Sequence, residues 1–214
     1  MLIPFEQINQ FIESNGKKIQ GILHVGAHEC EERDDYNING INDDNIIWIE
    51  GNNDLVQQNK QKSKNINIYH VLVDNEEKDV MFNITNNGQS SSILELGTHK
   101  ESYPYIFVSQ QQQQRTMRLD SFFEQNNIDP SKYDFWNLDI QGTELRALKS
   151  AEKYLKFVNY IYTEVNTQEV YKGCALLPEL DEYLAKHGFM RVGMHLVENA
   201  GWGDAVYFRV APTL

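Results

Sequence analysis

This sequence predicts an α/β domain built on a doubly wound, mostly parallel sheet, and three features predict it. Short continuous apolar runs such as Ile22-Leu23-His24-Val25 and Ile46-Ile47-Trp48-Ile49 suit strands buried on both faces. Polar segments with helical spacing separate such runs, the alternation that a parallel sheet with crossover helices requires. Late in the chain, Phe189 to Met194 and Ala205 to Val210 read as two consecutive strands forming an antiparallel, hairpin-like edge.

The elements follow in order. Phe5, Ile8, Phe11 and Ile12 lie at helical spacing before Asn15-Gly16, so a short amphipathic helix opens the chain and packs on an edge or face of the sheet. Ile22 to Val25 is the first strand, broken by Gly26-Ala27, and Glu29 to Tyr36 suits a helix. Ile46 to Ile49, running into Glu50-Gly51, is the second strand, and Asp54 to Lys62 its polar helix. Ile66 to Val73 supplies a third strand. Val80 to Ile84 reads as an extra strand leading to the loop Asn86 to Ser92, and the run Gln110 to Gln114 as a low-complexity surface loop. Asp120 is placed to cap a helix over Ser121 to Gln125. Phe135 to Ile140 and Phe157 to Val165 are the fourth and fifth core strands, with a helix from Thr143 to Tyr154 between them. Pro178 to His187 is a helix closed by Gly188. Ligands of such sheets sit beyond the C-terminal ends of the strands, which singles out His24 to Cys30, Glu50, Asp74, Asp139 and Glu164.

Composition narrows the function. The 214 residues suit one domain with a buried core, and 41% hydrophobic residues exclude a disordered chain. A net charge of −12 with no Lys/Arg-rich stripe repels phosphate backbones, so nucleic acid is not an expected partner and small or neutral substrates are. Cys30 and Cys174 lack zinc-site spacing and a disulfide framework, which points to a reducing compartment. No apolar run reaches about 18 residues and the N-terminus lacks a signal-peptide pattern. A soluble, cytoplasmic monomer or homodimer is expected, in the host cytoplasm for a viral source.

The Gly26-Ala27 turn opening a helix suits close approach of backbone to a nucleotide, although any βα unit can carry one glycine there. Glu50, about 25 residues further on at a strand end, matches the acidic residue that accepts both ribose hydroxyls in dinucleotide sites; the plain reading is a solvated carboxylate leading a helix.

Taken together, Leu23-His24-Val25-Gly26-Ala27-His28, Trp48-Ile49-Glu50, Asn87-Gly88-Gln89-Ser90-Ser91-Ser92, Leu138-Asp139-Ile140-Gln141-Gly142-Thr143-Glu144 and Thr163-Glu164-Val165-Asn166 resemble the ordered motifs of the FkbM methyltransferases. The resemblance runs from about Gly21 to Arg209. It implies a Rossmann-like class I methyltransferase fold, a mostly parallel seven-stranded sheet with an antiparallel final strand and helices on both faces. The implied organisation is a single domain over 1–214, residues 1–20 being a helical extension and 21–210 the core. The implied cofactor is S-adenosylmethionine, with Gly26, Ala27 and His28 at its methionine part, Glu50 on the ribose, Asp74 at the adenine edge, and Ser91 and Asp139 also in contact. An alternative for Asp74-Asn75 is a simple turn. The chain departs from the family at His24, His28 and Cys30, where Asp, Asn and Gly are frequent.

The implied activity is O-methylation of a hydroxyl on a small acceptor, a sugar of a glycan or glycoconjugate. Such a transfer needs alignment and removal of the hydroxyl proton. Asp139 and Glu164, at strand ends, and His195 are the candidate catalytic residues, and Glu164, Asn166, His195 and Trp202 the candidate acceptor contacts. Each has a structural alternative: a hydrogen-bonded carboxylate for Asp139 and Glu164, a hydrogen-bonding histidine for His195, hairpin packing for Trp202. The carboxylate pair could instead hold Mg2+, but no metal is expected. Two other functions compete: a catalytically silent S-adenosylmethionine-binding module and, weakened by the missing GxGxxG, an NAD-dependent oxidoreductase.

Overall fold

The apolar runs Ile22 to Val25 and Ile46 to Ile49, the fourth and fifth core strands and the late strand pair join one seven-stranded sheet in the computed structural model of the protein, which describes residues 1–210. Positions 211–214, counted in the expected domain, lie outside the described residues. The strands are β1 (Ile22–Val25), β2 (Ile46–Glu50), β3 (Ile68–His70), β7 (Phe135–Leu138), β8 (Tyr160–Asn166), β9 (Phe189–Leu196) and β10 (Trp202–Arg209), in the order β3-β2-β1-β7-β8-β10-β9. A second sheet, ordered β4-β6-β5, joins β4 (Leu72–Val73), β5 (Asp79–Thr85) and β6 (Val108–Met117). The helices are α1 (Phe5–Ser14), α2 (Arg33–Ile38), α3 (Asn53–Lys62), α4 (His99–Ser102), α5 (Leu119–Gln125), α6 (Glu144–Ser150) and α7 (Leu177–Lys186).

The apolar runs are continuous because each strand is covered twice. Side chains alternate across a strand, so neighbours in sequence serve opposite layers. Leu23, Ile47, Trp136 and Ile161 pack with Phe122 of α5, Leu148 of α6 and Leu184 of α7. Ile22, Trp48, Phe135 and Tyr160 pack with Phe5, Ile8 and Ile12 of α1 and Tyr36 of α2. The first twenty residues, expected as an extension, therefore cover one face of the sheet. His24 also points into this layer, where its Nδ1 lies 3.1 Å from the Tyr36 hydroxyl and its ring 4.6 Å from that of Trp48.

Parallel pairing joins β1 to β2 and β7, β2 to β3, and β7 to β8. The final strand, β10, runs antiparallel to both neighbours, as expected for the class I fold, but it is not at the edge: it is inserted between β8 and β9.

Five local expectations change. The predicted strand Ile66 to Val73 divides at Val71, β3 pairing with β2 while β4 turns away to pair with β6. The glutamine run is no loop: Gln110 to Gln114 are ladder partners of Val80 to Ile84 along β5. The helix expected from Glu29 begins at Arg33, because left-handed residues His28 and Cys30 (φ 43° and 58°) prolong the turn after β1. Asp120 sits inside the first turn of α5, after an extended Arg118, and its carboxylate accepts from the Arg118 guanidinium at 2.9 Å. The segment expected as one helix to Tyr154 is α6 followed by a tighter 3-10 turn over Glu152–Phe157.

Candidate active site

The C-terminal ends of β1, β2, β7 and β8 open into one cavity of about 600 Å3, closed from the side by the segments after β5 and around α4. The turn after β1 forms one wall. Gly26 has φ 91°, and both its amide and that of Ala27 donate to the Ile49 carbonyl, at 2.8 and 3.0 Å. A Cβ added at Gly26 would lie 1.8 Å from the Asp139 carbonyl oxygen. The glycine expected to let a ligand approach thus also lets two strand ends approach each other.

Glu50 ends β2 and is buried at the cavity. Its Oε2 accepts from the His28 amide at 2.8 Å and its Oε1 from the Asn52 amide at 2.7 Å. Burial raises its pKa, and these amides oppose the rise. Each oxygen keeps accepting capacity, as a pair of vicinal hydroxyls needs. His28 Nδ1 lies 2.6 Å from Glu31; burial alone would lower the imidazole pKa, but the hydrogen bond and charge of Glu31 raise it. Ser91 lines the cavity, yet its hydroxyl donates to the Gly88 carbonyl at 2.6 Å and accepts from the Thr85 amide at 3.1 Å, so it shapes the loop. Leu72, Val73, Phe82 and Ile106 add apolar surface beside Glu50, suited to a flat heterocycle. A nucleoside with two free ribose hydroxyls fits these groups.

The opposite wall is acidic. Gln141, left-handed at φ 56°, donates from one nitrogen to Asp139 Oδ1 and to Glu164 Oε2, each at 2.6 Å, while its oxygen accepts from the Tyr171 hydroxyl. Asp204 stands opposite Glu164 in the β8–β10 register and accepts from the Leu2 amide at 2.7 Å and from the Tyr162 hydroxyl. The Asp139 side chain is open to the cavity but enclosed by protein, and this enclosure, with Asp204 nearby, pushes its carboxyl up to about 6. Glu164 is driven well above the usual carboxylate range, by burial first and then by the charges of Asp139 and Glu144. Its Oε1 is buried without a hydrogen-bond partner. Glu144 does not line the cavity; it accepts from the Ile140 and Gly142 amides at 3.0 Å each and so pins the turn that carries Gln141.

An aromatic group completes the rim. Trp202 Nε1 donates to the Tyr103 hydroxyl at 3.2 Å, and the His99 ring lies 5.1 Å from Tyr103 and 5.7 Å from Tyr171. His99 Nδ1 is buried without a partner, and burial lowers its pKa.

Gly26, Ala27, His28, Glu50, Ser91, Asp139, Glu164 and Trp202 therefore converge on one cavity, and three expected residues do not. Asp74 is fully buried with its carboxylate turned to Lys78 at 3.3 Å and Arg146 at 3.8 Å, while Val73 beside it faces the cavity. Asn166 is buried in the β8–β10 ladder away from the cavity. His195 lies exposed on the edge strand β9, its neighbour in the ladder being Asp204, whose side chain reaches the cavity when that of His195 does not. Sequence reasoning missed Gln141 as a site residue, together with Tyr171, His99, Tyr103 and Asp204. The Gln141-Gly142 pair after a strand signals a turn with left-handed residues; the aromatic residues come from segments with no motif. Among the described residues, no three His, Cys, Asp or Glu side chains are arranged to hold a metal ion, and no helix is long and apolar enough to cross a membrane.

Comparison with known proteins bears on this geometry. A comparison with curated sequences finds no match. Among solved structures, a protein of the NADB-Rossmann superfamily from Streptococcus agalactiae superposes with a TM-score of 0.49 at 14% identity, over 91% of this chain and 64% of that one. Magnesium protoporphyrin IX methyltransferase (ChlM) from Synechocystis PCC 6803, solved with bound SAM, gives 0.47 at 10% identity, over 96% of this chain and 77% of that one. The family model described as the methyltransferase FkbM domain matches residues 24–190, from β1 into β9, and takes in both acidic walls of the cavity except Asp204. The chain belongs to the FkbM methyltransferase family.

Proposed function

We propose that this chain is an S-adenosylmethionine-dependent O-methyltransferase whose acceptor is a hydroxyl of a small molecule, a sugar of a glycan or glycoconjugate. The observation that carries the reading is the pair of carboxylates, Asp139 and Glu164, hydrogen-bonded to one Gln141 nitrogen in the same cavity as the ribose-suited Glu50. Family membership supports the donor. When bound, S-adenosylmethionine supplies a sulfonium methyl group, whose transfer breaks a C–S bond, forms a C–O bond and leaves a neutral thioether.

The residues divide the rest of the task. Glu50 accepts the ribose hydroxyls, and the Gly26-Ala27 turn borders the methionine part. Asp139 takes the proton of the acceptor hydroxyl and returns it to solvent through the cavity mouth. A carboxyl near 6 is ionised at neutral pH yet more basic than an ordinary aspartate, which suits it to this role. Gln141 holds Asp139 in place, and Trp202 with Tyr103 offers a flat face for a sugar ring.

The test is calorimetry with S-adenosylmethionine followed by transfer of labelled methyl to a panel of glycosides. Absence of donor binding defeats the proposal; binding without transfer to any hydroxylated acceptor favours the silent module instead. Asp139→Asn is expected to lower turnover by about 100-fold or more.

A further inference from the structure

The cavity is lined by six carboxylates, Glu31, Glu32, Glu50, Asp139, Glu164 and Asp204, and among the described residues by no lysine or arginine. Three of these acids are already engaged away from the acceptor wall. Glu31 holds the His28 imidazole, Glu32 pairs with the Met1 amino group at 3.2 Å, and Glu50 takes two backbone amides. Asp139, Glu164 and Asp204 remain, on adjacent strand ends; the Met1 ammonium, which also lines the cavity, acts on Asp139 and Asp204, while among the described residues Glu164 has no ion-pair partner. Two of them share one Gln141 nitrogen, and two face each other in the β8–β10 ladder.

A second, independent observation points into the same space. Glu164 is 4% exposed, lines the cavity, and its Oε1 has no partner. A buried carboxylate oxygen without a donor is costly, and a neutral hydroxyl would satisfy the hydrogen bond without relieving repulsion among the three acids. A protonated amine does both, because its hydrogen bonds are charge-assisted and its charge is opposite. The adjoining rim is aromatic, with Trp202, Tyr103 and Tyr171 beside His99, whose pKa burial lowers. Aromatic faces beside a carboxylate suit an ammonium group as well as a sugar ring.

We infer that the acceptor carries a free, protonated amino group beside the hydroxyl that receives the methyl, held by Glu164 with Asp139 and Asp204 close by. The substrate class is then an unacetylated amino sugar. This rests on the methyl-transfer reading for the identity of the reacting hydroxyl, but the amine site itself is a property of the acidic wall.

The two are tested separately. Binding of the methyl glycosides of glucosamine and galactosamine, of their N-acetylated forms and of methyl glucoside is measured by calorimetry on the full chain, with and without S-adenosylhomocysteine. At least one free amine is expected to bind about tenfold or more tightly than its N-acetylated form and than methyl glucoside. Glu164→Gln is expected to abolish that preference while leaving S-adenosylhomocysteine affinity within a few-fold. Should Glu164→Gln fail to fold, Asp139→Asn is expected to reduce the preference several-fold. Equal binding of amine and N-acetyl forms, a preference for the neutral sugar, or no detectable binding of either free amine overturns the inference. Lack of donor binding with an intact amine preference overturns the methyl-transfer reading alone.

Discussion

Gly26 is the residue on which the two walls meet, since its missing side chain leaves room for the Asp139 carbonyl. An alanine there must also accept φ 91°, which is strained for any L side chain. Gly26→Ala is expected to cost about 3 kcal/mol or more of unfolding free energy in a denaturant titration, or to prevent folding. Gly16→Ala is the control: it has φ 69° but nothing within 4 Å of the added Cβ, so a loss of only about 1 kcal/mol is expected. At this scale the sequence was enough to place Glu50, Asp139 and Glu164 at the strand ends that line the cavity, because strand-end carboxylates follow directly from an apolar run and its terminus. It hid the partner that organises them. Gln141 is legible only once its nitrogen is seen between two carboxylates, and Asp74 and His195 looked like site residues because proximity along the chain does not reveal the direction of a side chain.

Among the elements, α1 illustrates how far a pattern can be trusted. The spacing of Phe5, Ile8, Phe11 and Ile12 sufficed to predict an amphipathic helix; Phe5, Ile8 and Ile12 are buried against the sheet, Phe5 and Ile12 at 1% exposure, while Phe11 stays exposed beside Phe208. Ile12→Ala is therefore expected to destabilise the protein by about 2–4 kcal/mol, measured by denaturant midpoint, which a dispensable extension would not show. The strand β6 illustrates the opposite. Five consecutive glutamines have no apolar alternation and low strand preference, so nothing local indicates a strand. The β5 ladder imposes it: Phe82 and Ile84, buried partners across the pair, set the register that the glutamines follow. The split of Ile66 to Val73 was invisible for a related reason, since no glycine or proline interrupts the run and only the pairing partners of its halves differ.

For the molecule as a whole, the buried acids give stability a definite pH dependence. Glu144, pushed up to about 7 by burial, keeps its proton in the folded state where the unfolded chain has lost it. Folded protein then binds more protons than unfolded protein between its ordinary value of 4.5 and about 7, so this contribution is complete below that window and is lost as pH rises through it. Asp139 acts in the same direction up to about 6, and burial raises Asp204 as well. The melting temperature is expected to fall from pH 5 to pH 8, and Glu144→Gln to flatten that slope and raise the melting temperature at pH 8, as followed by calorimetric scans. Turnover should run the other way, rising as Asp139 ionises through about pH 6.

The insertion of β10 between β8 and β9 also dictates an order of events in folding. Residues 202–209 follow both strands they join, so a chain in which β10 is not yet placed leaves the edges of β8 and β9 unpaired. Until the last strand inserts between them, those edges are open to pairing with other chains. A chain truncated at residue 200 is expected to be an aggregation-prone half-sheet, and one that runs through residue 210 a closed one.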